Sequence, residues 1–191
     1  MENYAVIFIS AIFINNIVLA RFLGICPFLG VSKSTSTALG MGVAVLFVMT
    51  VASIVTFLIY RGLLVPFDIT YLQTVAYILV IAFLVQVVEI VLKKVSPELY
   101  QALGVFLPLI TTNCAILGVA ILVIQQDYSL MQAVIFAVGN AIGFTLAIVL
   151  FSSLREHLEM AELPPAMKGV PAALVVAGIL SMAFMGFAGL V

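Results

Sequence analysis

Long apolar stretches separated by short polar breaks run along the whole chain. Each stretch is long enough for a helix to cross the hydrocarbon core of a bilayer, which needs about 20 apolar residues. Because lipid offers no water to satisfy open strand edges, helices are the expected spanning structure. The six predicted segments cover about residues 4–30, 38–60, 70–92, 99–124, 130–151 and 169–190.

Composition supports this assignment to the membrane class. Hydrophobic residues make up 65% of the chain and charged residues 8%, and the mean hydropathy is +1.38. A soluble domain carries about 25% charged residues, so this chain has too little polar surface to face water. The net charge of −1 and the lack of a basic tract give no basis for nucleic-acid binding. We predict an all-α integral membrane protein forming a single membrane domain, residues 1–191, with membrane lipid around it.

Lysine and arginine are distributed unevenly over the loops of such a chain. With six spans, loops one, three and five lie on one side, and loops two and four lie on the other side with both termini. The second side carries only Arg61. The first side carries Lys33, Lys93, Lys94, Arg155 and Lys168. The positive-inside rule therefore predicts that the odd loops are cytoplasmic and that both termini lie outside.

Two stretches share one pattern and contain the only two cysteines of the chain. Residues 19–31 read LARFLGICPFLGV, and residues 107–119 read LPLITTNCAILGV. The first stretch belongs to segment one and the second to segment four, which divides the chain into halves of about residues 1–95 and 96–191. Because each half has three segments, the second half enters the membrane from the opposite side. The pattern predicts an inverted 3+3 repeat about a pseudo-two-fold axis in the membrane plane.

Both of these segments contain residues that interrupt helices. Glycines and a proline surround Cys26, and Pro108 followed by Thr-Thr-Asn precedes Cys114. Proline removes a backbone donor and clashes with the preceding turn, so we expect helices one and four to be broken near the cysteines. Cys26 lies about 22 residues into segment one, and a straight helix of that length would cross the whole bilayer. A midplane position for Cys26 therefore requires a tilted or re-entrant first segment.

Cys26 and Cys114 are candidate metal ligands. Thiolate is a soft ligand for iron–sulfur clusters, zinc and copper(I), and a bound metal offsets the cost of its charge at membrane depth. Pro27 favours a helix start beside Cys26, with its positive end facing the sulfur. Two ligands do not complete a site that takes four, and His157 lies in a predicted loop. On spacing alone, ligands of a site shared with another chain, buried small side chains and a Cys26–Cys114 disulfide all remain open.

Several other polar and small residues allow two interpretations. Asn15, Asn16 and Asn140 either form hydrogen bonds between helices or line an ion path. Gly139 and Gly143 form a G-x-x-x-G face, which predicts the close approach of another helix. The charged stretch of residues 155–168 is predicted to be a loop that is solvated or docks a soluble redox subunit. The sequence has no Ser-His-Asp set, phosphate loop or flavin-attachment motif.

The motif stretches resemble a known family. NNIVLARFLGICPFLGVSKS, GVFLPLITTNCAILGVAIL and the ending AGILSMAFMGFAGLV resemble the A-subunit family of the Rnf complex. They are similar, more distantly, to the E subunit of the sodium-translocating NADH:quinone reductase. The resemblance covers essentially the whole chain. Rnf is a prokaryotic membrane complex that couples electron transfer between ferredoxin and NAD to ion pumping.

This resemblance implies a membrane electron-transfer subunit in a prokaryotic plasma (inner) membrane. It implies that Cys26 and Cys114 are two ligands of a [2Fe–2S] cluster whose other two ligands come from a homologous subunit of opposite topology. Further expected partners are Rnf subunits that carry flavin and iron–sulfur centres. The chain would then be part of a redox-driven translocase without a complete substrate site of its own. The alternative is a small inverted-repeat transporter or channel without a redox centre.

Overall fold

A computed structural model describes residues 4–32, 34–95, 107–160, 164 and 167–189, and the regular structure in these residues is entirely helical. Two shorter apolar helices are Tyr4–Ile14 and Val170–Met185. Four stretches are long and apolar enough to cross a membrane: Thr35–Leu64, Thr70–Val91, Pro108–Gln125 and Leu130–Leu158. The prediction of a helical, multi-pass membrane protein is therefore confirmed, whereas the first and last of the six predicted segments contain only short helices.

The helices follow one another in this order. The bounds are α1 Tyr4–Ile9 with a π-helical continuation Ser10–Ile14, α2 Ile25–Gly30, α3 Thr35–Ile59 with a π-helical continuation Tyr60–Leu64, α4 Gln73–Val95 after a 3-10 turn Thr70–Leu72, α5 Leu107–Thr111, α6 Cys114–Gln125, α7 Leu130–Met160, and α8 Val170–Met185 with a 3-10 turn Gly186–Gly189. Lys33, the first residues of predicted segment four and the start of the second predicted half at residue 96 lie outside the described residues.

Three predicted boundaries were wrong by several residues. The helix α3 begins at Thr35 instead of residue 38, because Ser34 caps it by accepting a hydrogen bond from the Thr37 N–H at 3.4 Å. Its π-helical continuation includes Arg61, which was predicted to lie in a loop. The helix α7 runs on to Met160 instead of ending near residue 151. Leu, Arg and Glu are good helix formers, so a helix can continue beyond the end of the apolar stretch.

The helices α3 and α7 form the central pair and run antiparallel. At one end, Thr35 donates hydrogen bonds from its N–H and its hydroxyl to Glu156, each at 2.9 Å. At the other end, Arg61 lies 3.4 Å from Asp127, which shortly precedes α7. Thr35 and the end of α7 therefore lie on one face of the molecule, and Arg61 and Asp127 lie on the other.

Small residues let the first segment pack closely on α7. A Cβ atom added to Gly139 would lie 3.0 Å from the Cβ of Ala11, and one added to Gly143 would lie 3.1 Å from the Ile12 carbonyl oxygen. The predicted close approach at this G-x-x-x-G face is thus confirmed. Asn16 is fully buried beside it and donates to the carbonyls of Ile12, at 3.0 Å, and Gly143, at 2.9 Å. Its side chain holds the end of the first helix against α7.

Arg155 clamps the short helix α2 to the end of α7. One guanidinium nitrogen of Arg155 donates to the Leu29 carbonyl at 2.9 Å and to the Ser32 hydroxyl at 2.8 Å. A cation at a helix C-terminus is favourable because the last carbonyls carry partial negative charge. The rings of Phe28 and Phe151 stack beside it with their centroids 4.2 Å apart. The expectation that Arg155 lies in a solvated loop was wrong, since it is half-buried in this helical contact.

Replacing Gly143 with alanine tests the contact between α7 and the first segment. The new Cβ would lie 3.0 Å from Asn16 Nδ2 and within 3.2 Å of two backbone carbonyl oxygens, of Ala11 and Ile12. These carbonyls cannot turn away without moving the backbone. We expect Gly143→Ala to lower the free energy of unfolding by about 1–3 kcal/mol. Thermal denaturation of the purified complex measures the change.

Gly178→Ala is the matched control for this variant. Nothing in the described part of the chain lies within 4 Å of a Cβ added to Gly178, which is in α8. Alanine is the better helix former, so this variant should be at least as stable as the wild type. Equal stability of the two variants would contradict the tight contact at Gly143.

Arg155→Gln tests the clamp on α2. This change removes hydrogen bonds from a charged donor to a helix end, and we expect a loss of about 1.5–3 kcal/mol in the free energy of unfolding. Arg61→Gln is the control, because Arg61 and its partner Asp127 have side chains that are 57% and 92% exposed. Such an exposed pair contributes about 0.2–1 kcal/mol. Denaturation curves that show the same shift for both variants would rule out a structural clamp at Arg155.

Candidate functional site

Each cysteine lies at the start of a helix that follows an interruption of helical structure. In the first segment, the π-helical continuation of α1 ends at Ile14 and α2 begins at Ile25, with Cys26 as its second residue. In the second motif, α5 ends at Thr111 and α6 begins at Cys114 itself. The sequence predicted a helix start beside Cys26 through Pro27, and the structure puts that proline in the first turn of α2, where its missing N–H costs little.

Gly24 makes the turn into α2. Its φ of 83° lies in the left-handed region, which an L-residue with a side chain adopts only under strain. A Cβ atom at this position would lie 3.0 Å from the Phe144 ring, 3.1 Å from the Ala115 Cβ and 3.2 Å from Asn113 Oδ1. Both the backbone conformation and the available space therefore require glycine here.

Asn113 and Thr112 satisfy the backbone at the second break. Asn113 is the N-cap of α6, and its Oδ1 accepts a hydrogen bond from the Ala115 N–H at 3.0 Å. The Thr112 hydroxyl donates to the Pro108 carbonyl at 2.9 Å. Such side-chain partners allow a helix to be interrupted at membrane depth, where unpaired backbone groups are expensive. The Thr-Thr-Asn sequence before Cys114 is thus the chemical reason why the break is tolerated.

The two breaks meet in space although 90 residues separate them in sequence. The backbone N–H of Gly24 donates a hydrogen bond to Sγ of Cys114 at 2.9 Å. Ala115 and Asn113 from the second break lie against Gly24, as does Phe144 from α7. The contact joins the turn that leads into Cys26 to the sulfur of Cys114, and these residues form the candidate site.

The two cysteines differ in their surroundings, and both are free thiols. Cys26 is exposed and Cys114 is half-buried. Cys114 is also the first residue of the 12-residue helix α6, whose N-terminus carries partial positive charge. The Gly24 N–H and the helix N-terminus therefore both present positive partial charge to the Cys114 sulfur. Exposed residues around Cys26 include Arg21, Phe22 and Gly30, so this side of the site is open.

The donor set of this chain fits half of an iron–sulfur site. Thiolates are the usual ligands of such clusters, and a cluster takes four of them. The chain has only two cysteines, and no group of three or more His, Cys, Asp or Glu side chains exists among the described residues. His157, the only histidine, is exposed near the end of α7. A complete centre would need two further ligands from another chain.

Sequence reasoning missed three residues that shape this site. Gly24 and Asn113 were noticed only as helix-interrupting residues, whereas each contacts the other cysteine-bearing stretch. Ser181 of α8 was not singled out, and its hydroxyl donates to the Leu19 carbonyl in the first break at 2.6 Å. Asparagine directly before a helix start is a recognisable capping signal. No sequence signal links Ser181 to Leu19, because the contact depends on how α8 packs.

Comparisons with known proteins identify the family. A family model described as Rnf-Nqr subunit, membrane protein, matches residues 4–191. The A subunit of an ion-translocating oxidoreductase complex from Syntrophotalea carbinolica is 60% identical over 191 residues, covering 100% of this chain and 99% of that protein. The A subunit of the Na+-translocating ferredoxin:NAD+ oxidoreductase complex from Acetobacterium woodii is 59% identical over 184 residues, 96% of each protein.

A third relative is the A subunit of an ion-translocating oxidoreductase complex from Pseudoalteromonas translucida. It is 52% identical over 191 residues, covering 100% of this chain and 99% of that protein. These matches extend over essentially the full chain and include both cysteine-bearing stretches. They confirm the resemblance noted from the motifs. The chain belongs to the Rnf-Nqr family of membrane subunits.

Proposed function

We propose that this chain is a membrane electron-transfer subunit of an ion-translocating ferredoxin:NAD oxidoreductase complex. In this proposal, Cys26 and Cys114 supply two of the four ligands of a [2Fe–2S] cluster shared with a homologous subunit. The observation that carries it is the 2.9 Å hydrogen bond between the Gly24 N–H and Cys114 Sγ, which brings the two cysteine-bearing breaks together. The names of the relatives support the complex to which the chain is assigned.

The cluster would supply a one-electron carrier inside the membrane, and the residues of this chain hold and surround it. Cys26 and Cys114 are the ligands, and Gly24 and Asn113 fix the two turns on which they lie. Phe144 and Ile116, both fully buried, pack behind the second break and exclude water from that side. The exposed side at Cys26 is where the partner's ligands have access, and Phe22, 55% exposed, offers apolar contact area there.

The packing of the helices supports an inverted repeat. The second helices of the two halves, α3 and α7, form the central antiparallel pair. The first segment of each half packs on the central helix of the other half, α1 on α7 and α6 on α3. A two-fold axis in the membrane plane would relate these two contacts to each other. The partner subunit is proposed to have the same fold with the opposite orientation.

The helix lengths support a position of Cys26 near the middle of the bilayer. The helical turns that precede it have six and five residues, in Tyr4–Ile9 and Ser10–Ile14. At roughly 1.5 Å per residue they span about 16 Å, or about half of a 30 Å hydrocarbon core. The irregular chain from Asn15 to Gly24 then turns into α2, so segment one is proposed to be re-entrant.

The basic residues support the proposed orientation in a prokaryotic inner membrane. Arg155 lies on the same face as Ser32 and Thr35, to which the end of α7 is hydrogen-bonded. This face would be cytoplasmic by the positive-inside rule, with both termini outside. It is also the face on which subunits that carry flavin and iron–sulfur centres would exchange electrons with the cluster from the cytoplasm.

A transporter without a redox centre is the second candidate function. It is favoured by buried polar atoms without a hydrogen-bond partner among the described residues. Three of them lie on the central helix pair: Ser53 Oγ, Asn140 Oδ1 and Ser152 Oγ. Such atoms are suited to line a path for ions or a small polar substrate. This function predicts transport by the chain alone and little effect of cysteine replacement.

Cys26→Ser and Cys114→Ser separate these two functions. Serine keeps the size of the side chain but replaces a soft sulfur ligand with a hydroxyl, so we expect each variant complex to lose the [2Fe–2S] signal. The measurement is iron content together with EPR of the purified, reduced complex. Electron transfer from ferredoxin to NAD should fall at least about tenfold.

Ser181→Ala is the control for general disturbance of the first break. It removes the hydrogen bond to the Leu19 carbonyl but leaves both thiols in place. We expect this variant to keep its iron and its EPR signal. Full iron content and unchanged electron transfer in both cysteine variants would overturn the proposed function.

A further inference from the structure

We infer that this chain tunes the shared centre through its Cys114 ligand. The donors are the Gly24 backbone N–H and the side-chain amide of Asn113, which supply hydrogen bonds to sulfur on the Cys114 side and raise the reduction potential of the centre. The inference rests on the proposed function, because it assigns a role to residues around a cluster that the proposal places at Cys26 and Cys114.

The first donor is already in contact with the ligand. The Gly24 N–H lies 2.9 Å from Cys114 Sγ, and the positive φ of Gly24 directs the turn that brings it there. The absence of a side chain is what permits this distance, since a Cβ would meet Phe144, Ala115 and Asn113 at 3.0–3.2 Å. A backbone donor held in a packed turn cannot rotate away when the charge on the sulfur changes.

The second donor is buried next to that contact and has no acceptor in the described part of the chain. Asn113 is 3% exposed, and its Nδ2 has no hydrogen-bond partner among the described residues. Its Oδ1 accepts from the Ala115 N–H, which fixes which end of the amide is the donor. The Oδ1 atom of this carboxamide lies against Gly24, whose N–H contacts the Cys114 sulfur, and Nδ2 belongs to the same amide group. A buried donor without an acceptor is unfavourable, and a sulfur acceptor arriving with the cluster would remove that cost.

Capping alone does not account for the amide of Asn113. The cap of α6 uses only Oδ1, and serine or aspartate caps a helix equally well. The extra donor distinguishes asparagine from these residues at this position. Its place one residue before a ligand, beside a second N–H that already contacts the ligand sulfur, points to sulfur as the acceptor.

Hydrogen bonds to cluster sulfurs raise the reduction potential because reduction adds negative charge. A donor held in place stabilises the more negative, reduced state more than the oxidised state. The structure gives Cys114 one donor in contact, and the preceding residue carries a buried amide donor without an acceptor among the described residues, whereas Cys26 is exposed. The two ligands of this chain thus have different tasks: Cys114 sets the electron affinity of the centre, and Cys26 faces the partner.

Asn113→Ser in the intact complex tests the inference. Serine keeps the cap of α6 but removes the amide donor. We expect the variant to keep its iron, while the ratio of reduced to oxidised cluster at a fixed ambient potential falls about three- to tenfold. Tenfold corresponds to about 59 mV for a one-electron couple. An EPR-monitored redox titration measures this, and the exchangeable-proton couplings of the reduced cluster should lose one contribution.

Asn113→Asp and Asn140→Ser complete the series. Aspartate keeps the cap, removes the donor and adds a negative charge, so its potential should lie at or below that of the serine variant. Asn140 is 1% exposed, and its amide donates to the Phe136 carbonyl, so Asn140→Ser removes an equally buried carboxamide from α7. We expect its potential to equal that of the wild type.

Gly24→Ala against Gly62→Ala tests the backbone donor in the same titration. The added Cβ pushes the Gly24 N–H away from Cys114 and should lower the potential, whereas nothing among the described residues lies within 4 Å of a Cβ at Gly62. An unchanged potential in iron-loaded Asn113→Ser and Asn113→Asp overturns the inference and leaves the proposed function standing. If Cys26→Ser and Cys114→Ser both keep the iron content of the wild-type complex, the proposed function itself is overturned.

Discussion

A backbone that leaves the helix inside a bilayer must find partners for its N–H and C=O groups within the protein, because lipid offers none. The arrangement of this chain depends on how its two interruptions meet that demand. The side-chain oxygen of Asn16 accepts hydrogen bonds from two backbone N–H groups, and its amide nitrogen donates to two backbone carbonyls. At the second break, Asn113 accepts a hydrogen bond from a backbone N–H and Thr112 donates one to a backbone carbonyl. Ser181 of α8 donates to a carbonyl of the first break. Once these groups are paired, the chain can present thiols at short helix starts instead of burying them in continuous helices.

The central helices supply the rigid support for these interruptions. Gly139 and Gly143 bring the first segment so close to α7 that Asn16 can reach a carbonyl of the neighbouring helix. Phe144, one residue further on, packs on Gly24 and thereby on the contact with Cys114. The same helix thus holds the first break and backs the junction of the two breaks. The proposed electron-transfer site would benefit from this rigidity, since fixed surroundings need little reorganisation when charge arrives.

The sequence predicted the membrane class, a helix start beside Cys26 and the close approach at Gly143, because these follow from local composition and spacing. It did not predict that α7 continues to Met160, because the end of an apolar stretch marks the edge of lipid and not the end of a helix. It could not assign Arg155 to the carbonyl of Leu29, or Gly24 to the sulfur of Cys114. Those partners are 126 and 90 residues apart in the chain, respectively, and only the packing of the helices brings them together.

The paired attachments of the first segment to α7 have a mechanical consequence. Asn16 is hydrogen-bonded to Gly143, and Ser32 is hydrogen-bonded to Arg155. The intervening chain with Cys26 is therefore a loop attached at both ends to the single helix α7. Gly143 and Arg155 are about 18 Å apart along α7 if the helix is straight. With both ends held, this loop as a whole cannot move along the membrane normal unless α7 moves with it. A displacement of Cys26 along the membrane normal would therefore also displace the Arg155 end of α7, which couples the interior of the protein to its surface.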